Sequence, residues 1–296
     1  METLEILRRK IKSAQDLYSV VRTMRALASV NIRQYQRAVA SLVEYGRTVE
    51  LGFRILVKHH PELMPESQAR PAGRPVLVVL GSDRGMCGPF NERMARHCLE
   101  ELGELGIEPA MAVVLAVGVR LRNPLESLGI KVSHSYDLPS SAQAITAAVQ
   151  EVMLQIESLW ASHEPGRLLV LHQRPLHAAA YQPHTTHLLP LNLRWLRRIA
   201  HQPWPTQVIP SYAADPVGLF RALVRQYLLV SLHRAFAESL ASENAARLAS
   251  MQVAQKNIEQ RGDELRRSYH QQRQQQVTEE LLDIVAGFEA LASQRG

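Results

Sequence analysis

Apolar side chains recur every three or four residues along the C-terminal run 215–291, which is the spacing of an amphipathic helix. Asp215 and Pro216 mark its start, because a carboxylate caps exposed amides and proline suits the first helical turn. As one helix the run would be on the order of 110 Å long, so it must pair with another helix or enter a partner. The periodic positions include Leu223, Tyr227, Val230, Phe236, Leu240, Leu248, Met251, Ile258, Leu265, Val277, Leu281 and Ile284.

A second helical pattern covers residues 3–58, before the first proline at Pro61. Its apolar positions also step by three and four, as in a coiled-coil seam. The remaining positions are mostly basic, which favours a solvated helix surface; contact of a few of these charges with an acidic partner is the alternative. The seam consists of Leu4, Leu7, Ile11, Ala14, Leu17, Val21, Met24 and Ala28.

Between these helices the periodicity changes. The proline-rich stretch 59–75 is typical of a linker. Continuous apolar runs then alternate with helical patterns, which predicts an α/β domain with a mostly parallel sheet. The predicted strands are 75–83, 110–118, 130–136, 167–172 and one or two within 178–191; the predicted helices are 90–103 and one from a capping box at Ser140 and Gln143 to Trp160.

The fold prediction is therefore an α/β head inserted between two long terminal helices that form an antiparallel coiled coil. The predicted divisions are 1–60, 75–212 and 213–296. Because the C-terminal helix is longer, its tip should project alone. The polar segment 271–276 near that tip suits either a solvated helix or a part that moves past its surroundings.

Composition excludes several classes of protein. Of the 296 residues 46% are hydrophobic, which allows a real core, and the net charge of +6 suits an acidic partner without selecting one. Two cysteines give no disulfide framework and favour a reducing compartment. The charged N-terminus lacks the apolar segment of a signal peptide, and no apolar run reaches membrane-spanning length, which predicts a soluble or peripheral protein.

The glycine-rich segment 81–91 follows a predicted strand and precedes a helix, as a phosphate loop would. Its glycine spacing does not match a dinucleotide loop, and no Lys-Ser or Lys-Thr pair follows for a phosphate and magnesium. A tight structural turn, with Asp83 and Arg84 paired locally, is the favoured interpretation. Cys87 has no evident histidine base, so a nucleophilic role is not predicted.

Four histidines, His172, His177, His184 and His187, cluster in the chain, but their spacings match no zinc finger. His184 and His187 should also point to opposite faces of a strand. No paired carboxylates or Ser-His-Asp order stand out. We predict no catalytic residue, cofactor, metal site or nucleic-acid partner.

Three blocks of sequence resemble the gamma subunit of F-type (rotary) ATP synthases, and the resemblance extends over the whole chain. The first runs from Ile11 to Arg33, and the second, SDRGMCGPFN at 82–91, is close to the family's SDRGLCGAFN. The third joins ASENAAR at 241–247 to Tyr269, the Arg-Gln pair at 273–274 and TEELLDIV at 278–285. This last block is long and matches without a gap.

The resemblance implies a Rossmann-like head at the foot of a coiled-coil shaft. The implied partners are three alpha and three beta subunits around the shaft, with the epsilon subunit and the membrane ring of c subunits at the foot. The implied function is torque transmission that couples ion transport to ATP synthesis or hydrolysis. The chain itself would be non-catalytic and would lie peripherally on the cytoplasmic face of the bacterial plasma membrane.

Carried over by position, Met24, Arg247, Gln274, Thr278 and Glu280 match family residues that meet the beta subunits. Their side chains are expected to project from the shaft. Contacts of this kind are individually weak, below about 1 kcal/mol at an exposed surface.

Two departures from the family pattern favour a divergent or alternate-copy form. Asn31 stands where the family has a lysine, and Ala213-Ala-Asp-Pro216 replaces Glu-Pro-Asp-Pro at the start of the last helix. Two other hypotheses stay open: a free-standing coiled-coil adaptor, and a nucleotide-dependent enzyme that uses the turn at Gly81. Neighbouring genes for alpha, beta and epsilon subunits would discriminate among them.

The missing phosphate-loop spacing generates the first prediction. The isolated chain should neither bind ATP tightly nor hydrolyse it. Calorimetry of the purified chain with ATP tests this, and a micromolar site would favour the enzyme hypothesis.

Overall fold

The computed structural model describes residues 3–64, 73–162, 166–176, 180–205, 207 and 210–293. The helices and strands are α1 (Leu4–His59), β1 (Val76–Leu80), α2 (Phe90–Glu104), β2 (Val113–Val117), α3 (Arg122–Ser127), β3 (Val132–Tyr136), α4 (Ile145–Ser162), β4 (Leu168–Pro175), β5 (Tyr181–Leu189), α5 (Leu193–His201) and α6 (Pro216–Ser293). Among the described residues, no helix has the length and apolar content needed to cross a membrane.

The chain divides into two compact units. The first, here called the paired-helix unit, contains Met1–Leu27 and Ala249–Gly296, and the second, the sheet unit, contains Ala28–Leu248. The sheet unit is thus larger than the predicted head at 75–212, because parts of α1 and α6 pack into it. The three-part division made from the sequence stays a prediction about folding units.

In the paired-helix unit, α1 and α6 run antiparallel. Arg25 Nη1 donates to Gln255 Oε1 at 2.7 Å, and Gln255 Nε2 donates to the Tyr18 hydroxyl at 3.2 Å. Ile11, earlier in α1, lines a cavity together with Gly262, later in α6. The predicted antiparallel pairing is confirmed.

The sheet has the strand order β3-β2-β1-β4-β5. The pairs β1–β2, β1–β4 and β2–β3 are parallel, and only β5 runs antiparallel, beside β4. The predicted mostly parallel sheet is confirmed. All five residues of β1 are buried, as expected for a central strand covered by helices on both faces.

Successive side chains of each strand point to opposite faces of the sheet, so the sheet separates two hydrophobic cores. Val78, Val117 and Val170 pack with α4 and α6 on one face, whereas Val79 and Leu171 pack with α2 and α3 on the other. Each parallel crossover thus places a helix over the sheet.

The sequence patterns missed α5 and misplaced the start of α4. Helix α5 is capped by Asn192, whose Oδ1 accepts from the amides of Arg194 and Trp195. Helix α4 begins at Ile145, and the hydroxyl that accepts a backbone amide before it belongs to Ser141, not to Ser140.

Aromatic packing anchors the start of α6 against the end of α1 within the sheet unit. Phe53 of α1 is fully buried and makes edge-to-face contacts with Trp195, Phe220 and Tyr227 at ring-centroid distances of 5.6, 5.8 and 6.3 Å. Such pairs add about 0.5–1.5 kcal/mol each beyond their buried area. This cluster fixes α5 between the two long helices.

One glycine after β2 generates the second prediction. Gly118 has φ +108°, and a Cβ there would lie 2.7 Å from the Ser82 backbone nitrogen. Gly118→Ala should therefore lower the free energy of unfolding by about 1–3 kcal/mol. Gly103→Ala in α2 is the matched control, since nothing lies within 4 Å of the added Cβ. Urea unfolding compares the two, and equal stabilities would contradict the prediction.

Candidate functional site

The glycine-rich segment 81–91 forms a closed turn between β1 and α2. Asn91 Oδ1 accepts from the Ser82 amide at 2.9 Å, and Asn91 Nδ2 donates to the Ser82 hydroxyl at 2.8 Å. The Gly81 amide donates to the Val117 carbonyl at 2.8 Å. Because these two amides are already used within the chain, they are not available to cradle a phosphate.

Asp83 has a different role from the one predicted. Its carboxylate accepts the backbone amides of Val119 at 2.8 Å and Leu138 at 2.9 Å, and so joins the loops that follow β2 and β3. The predicted local pairing of Asp83 with Arg84 is wrong, because the carboxylate turns towards these amides. The aspartate is a structural bridge across the carboxyl ends of three neighbouring strands.

Cys87 is buried in this turn. Its sulfur lies 3.6 Å from the Ser82 hydroxyl oxygen and 3.6 Å from the Arg84 carbonyl oxygen. Burial raises the pKa of the Cys87 thiol, although the Ser82 hydroxyl partly opposes the shift. A raised pKa disfavours the thiolate that a nucleophile requires.

Helix α6 crosses the sheet unit in a segment where every residue from 235 to 246 is buried. Polar groups in such a segment need partners inside the protein. Glu238 accepts two hydrogen bonds, from His172 Nε2 of β4 to Oε2 at 3.0 Å and from Arg234 Nε to Oε1 at 2.7 Å, and Arg174 Nε lies 3.9 Å from Oε2. Burial raises the pKa of Glu238, but the hydrogen bonds from His172 and Arg234 outweigh it and lower that pKa to about 2.

Further polar contacts join α6 to β4 and to α1, and β4 to the start of α2. The Ser242 hydroxyl lies 3.0 Å from the Gln173 carbonyl oxygen of β4, and Gln173 Nε2 donates to the Phe90 carbonyl at 3.3 Å. Asn31 of α1 donates to Asn244 Oδ1 at 3.4 Å. Asn31 therefore makes a neutral amide contact between the two long helices.

Arg247 directly follows the buried segment 235–246 and points inward. It forms an ion pair with Glu243, and its Nη2 donates to the Arg84 carbonyl at 3.4 Å. Only 12% of the Arg247 side chain is exposed, and 7% of that of Glu243. The expectation that Arg247 projects freely is wrong, because Glu243 and the 81–91 turn hold it. Tyr35 is buried close by, and burial, then the charge of Glu243, raises its pKa.

The other predicted contact residues lie in the paired-helix unit. Met24 is half-buried on α1, whereas Gln274, Thr278 and Glu280 are exposed on α6. Gln274 and Thr278 share one face, and the Thr278 hydroxyl donates to the Gln274 carbonyl at 2.9 Å. Glu280 lies on another face and accepts from Gln276 Nε2 at 3.0 Å.

An exposed apolar stripe follows the polar segment 271–276. Its side chains are 48–63% exposed, and no described residue covers them. A contiguous exposed apolar surface of this kind is typical of an interaction site. The stripe consists of Val277, Leu281, Leu282, Ile284 and Val285.

The histidine cluster splits as its spacing indicated. His184 packs edge-to-face on His172 with ring centroids 5.4 Å apart, whereas His187 Nε2 lies 3.5 Å from Glu101 on the opposite face of the sheet. His177 lies outside the described residues. Within the described part of the chain, no three His, Cys, Asp or Glu side chains are placed to hold a metal ion.

Comparison with known proteins decides the family. The sequence profile of the ATP synthase family matches residues 3–291. This chain belongs to that family.

Relatives in the family match end to end. The ATP synthase gamma chain of Moorella thermoacetica is 26% identical over 98% of this chain and 100% of its own length. That of Syntrophus aciditrophicus is 28% identical over 99% of each chain. A chain of the OSCP/F1/c-ring part of the Euglena gracilis mitochondrial ATP synthase shares the fold, with a TM-score of 0.62, 18% identity and coverage of 99% and 96%. The predicted resemblance to ATP synthase gamma subunits is confirmed.

The sequence motifs did not indicate the buried polar contacts that His172, Glu238 and Glu243 make. His172 and Glu238 are 66 residues apart, so no local spacing connects them. The pair Glu243 and Arg247 did carry a signal, since an acid and a base four residues apart on a helix attract each other.

The buried ion pair generates the third prediction. Arg247→Ala leaves Glu243 buried and unpaired, which should lower the free energy of unfolding by about 3–5 kcal/mol. Replacing both residues, as Glu243→Gln with Arg247→Ala, should recover part of the loss. Arg261→Ala is the matched control on the same helix, since Arg261 is 68% exposed and pairs with an exposed glutamate; it should cost less than about 1 kcal/mol. Urea unfolding measures all three, and an equally small loss for Arg247→Ala would refute the buried role.

The lowered pKa of Glu238 generates the fourth prediction. A carboxyl group whose pKa falls from 4.5 to about 2 on folding stabilises the protein fully above pH 4.5, and the stabilisation is lost as pH falls towards 2. The contribution is about 3 kcal/mol at neutral pH. Unfolding free energies measured from pH 2 to 6 should therefore vary less in Glu238→Gln, whereas the exposed control Glu264→Gln should keep the wild-type slope.

Proposed function

We propose that this chain is the central rotor shaft of an F-type ATP synthase. It transmits torque between the ion-driven membrane ring and the catalytic beta subunits, and so couples ion transport to ATP synthesis or hydrolysis. The observation that carries the proposal is the match with gamma chains over the full length of both sequences.

The contacts within the sheet unit suit torque transmission. A force applied to the sheet reaches α6 through the bond between His172 and Glu238 and the contact between Gln173 and Ser242. Hydrogen bonds to charged groups contribute about 1.5–3 kcal/mol each when shielded from water. Apolar packing of α4, α6 and the strands surrounds these bonds, so α6 and the sheet would turn as one body.

The exposed apolar stripe at 277–285 would provide the surface that partner subunits contact near the C-terminal end of α6. Exposed apolar side chains on a helix without a described neighbour favour enclosure by other subunits. Three alpha and three beta subunits would supply that enclosure, and the epsilon subunit and the c-subunit ring would bind elsewhere on the chain. The polar segment 271–276 would then pass the surrounding subunits with few apolar anchors.

The chain would be non-catalytic within an ion-translocating enzyme. The turn at 81–91 uses its first two amides internally, and the pKa of Cys87 is raised, so this turn favours a structural role over nucleotide chemistry. We propose that the chain lies peripherally on the cytoplasmic face of the bacterial plasma membrane.

Co-expression with the alpha and beta subunits of the same organism tests the proposal. The chain should co-purify with them, and a bead attached to the sheet unit should rotate when ATP is added. A chain that ends at residue 276 is the control and should lose sustained rotation. Absence of co-purification would favour the adaptor hypothesis instead.

Gln274 generates the fifth prediction. If its amide meets a beta-subunit loop, Gln274→Ala should remove a hydrogen bond of about 1 kcal/mol, which corresponds to roughly a fivefold loss in ATPase rate or coupled ion pumping. Gln275→Ala is the matched control, because this exposed residue has the same side chain and points about 100° away. Both variants should fold normally. Unchanged rates and coupling in Gln274→Ala would show that the family role does not hold at this position.

A further inference from the structure

A cleft of about 810 Å³ lies in the sheet unit between α1, α5 and α6. Its α1 wall extends from Val39 to Glu50, which is about 17 Å or three helical turns. Val39, Leu42 and Val43 provide an apolar surface on this wall, and Val43 is 58% exposed. An apolar groove of this length accommodates a short helix.

Arginines surround the cleft. Arg47, Arg194 and Arg198 line it, and none of their side chains makes a hydrogen bond or ion pair with a residue that the structure describes. Arg234 also lines it and is held by Glu238. Glu50 is the one carboxylate among the described lining residues. The cleft therefore presents a positive potential beside its apolar α1 wall.

The walls of the cleft are held in place. Trp195 of α5 stacks on Tyr227 of α6 with ring centroids 5.5 Å apart. Arg54 of α1 donates to the carbonyls of Gln202 and Pro203, just after α5. A groove with fixed walls loses little conformational entropy when a partner binds.

We propose that this cleft docks an acidic amphipathic helix, about three turns long, from another subunit of the assembled complex. The apolar face of that helix packs on α1 and α6, and its carboxylates pair with Arg47, Arg194 and Arg198. The proposal rests on the proposed function, because it requires a multisubunit complex.

A lipid surface fits the cleft less well. A helix that lies on a membrane needs its apolar face exposed, whereas Leu193, Leu196 and Ile199 of α5 are buried in the protein core. The apolar residues of α1 lie in a concave wall that a flat bilayer does not reach. A second copy of this chain is another occupant to test, since the stripe 277–285 also carries Glu279, Glu280 and Asp283.

Photo-crosslinking within the purified complex tests the proposal. A benzophenone attached at Val43→Cys reports on the cleft, and one at Leu154→Cys on α4 is the control, because Leu154 is 63% exposed outside it. The two native cysteines are buried and should not be labelled. We expect the probe at position 43, and not at 154, to capture one acidic helical segment of another subunit, identified by mass spectrometry.

Two charge-reversal variants on α5 provide a matched comparison. Arg198→Glu should reduce the capture at least fivefold, whereas Arg197→Glu, next to it on α5 but outside the cleft, should leave it unchanged. No capture, capture of lipid or of a second copy of this chain, or equal loss in both variants would overturn the docking proposal. If the complex still co-purifies and rotates, these outcomes contradict the docking proposal and not the proposed function. Failure of the complex to assemble would refute both proposals.

Discussion

The burial of the middle of α6 on every side is the constraint on which the rest of the sheet unit depends. A helix enclosed from residue 235 to 246 cannot leave polar side chains to water, so most of them find partners among their neighbours; the buried Ser239 hydroxyl is the exception and has no hydrogen-bond partner among the described residues. Glu238 and Ser242 find theirs on β4, Asn244 on α1, and Glu243 on Arg247 of the same helix. The helix is thereby fixed in rotation as well as in position, which apolar packing alone would specify less strictly.

The 81–91 turn resembles a nucleotide loop in composition and differs from one in structure. Asn91 closes the turn on Ser82, and Asp83 joins the loops after β2 and β3. Arg247 of α6 then contacts the carbonyl of Arg84 in this turn. The loop after β2 also lies close to this turn, since a Cβ added at Gly118 would lie 2.7 Å from the Ser82 backbone nitrogen.

A rotor shaft must be held firmly within its own fold and must also present surfaces to other subunits. Different parts of α6 meet these two requirements. The segment within the sheet unit is bonded tightly to its surroundings, so that torque is not lost between sheet and helix. The segment beyond residue 270 exposes polar and then apolar side chains, which suits surfaces that other subunits supply. Arg247 belongs to the first kind of segment and Gln274 to the second, so the two family positions would act differently: Arg247 by holding the fold, and Gln274 by contact with a partner.

Periodicity and turn chemistry in the sequence determined the two long helices, their antiparallel pairing, four parallel strands and the family, because these depend on local patterns and on motifs that are contiguous in the chain. The short helix α5 was missed although Asn192 and the alternation of Leu193, Leu196 and Ile199 with arginines carry its signal. Only the tertiary structure decided that Asp83 bridges two loops, that His172 pairs with Glu238 and that Arg247 points inward. These contacts join residues from separate elements, and whether a charge on a helix faces water or a buried partner depends on what packs against that face, which no local spacing encodes.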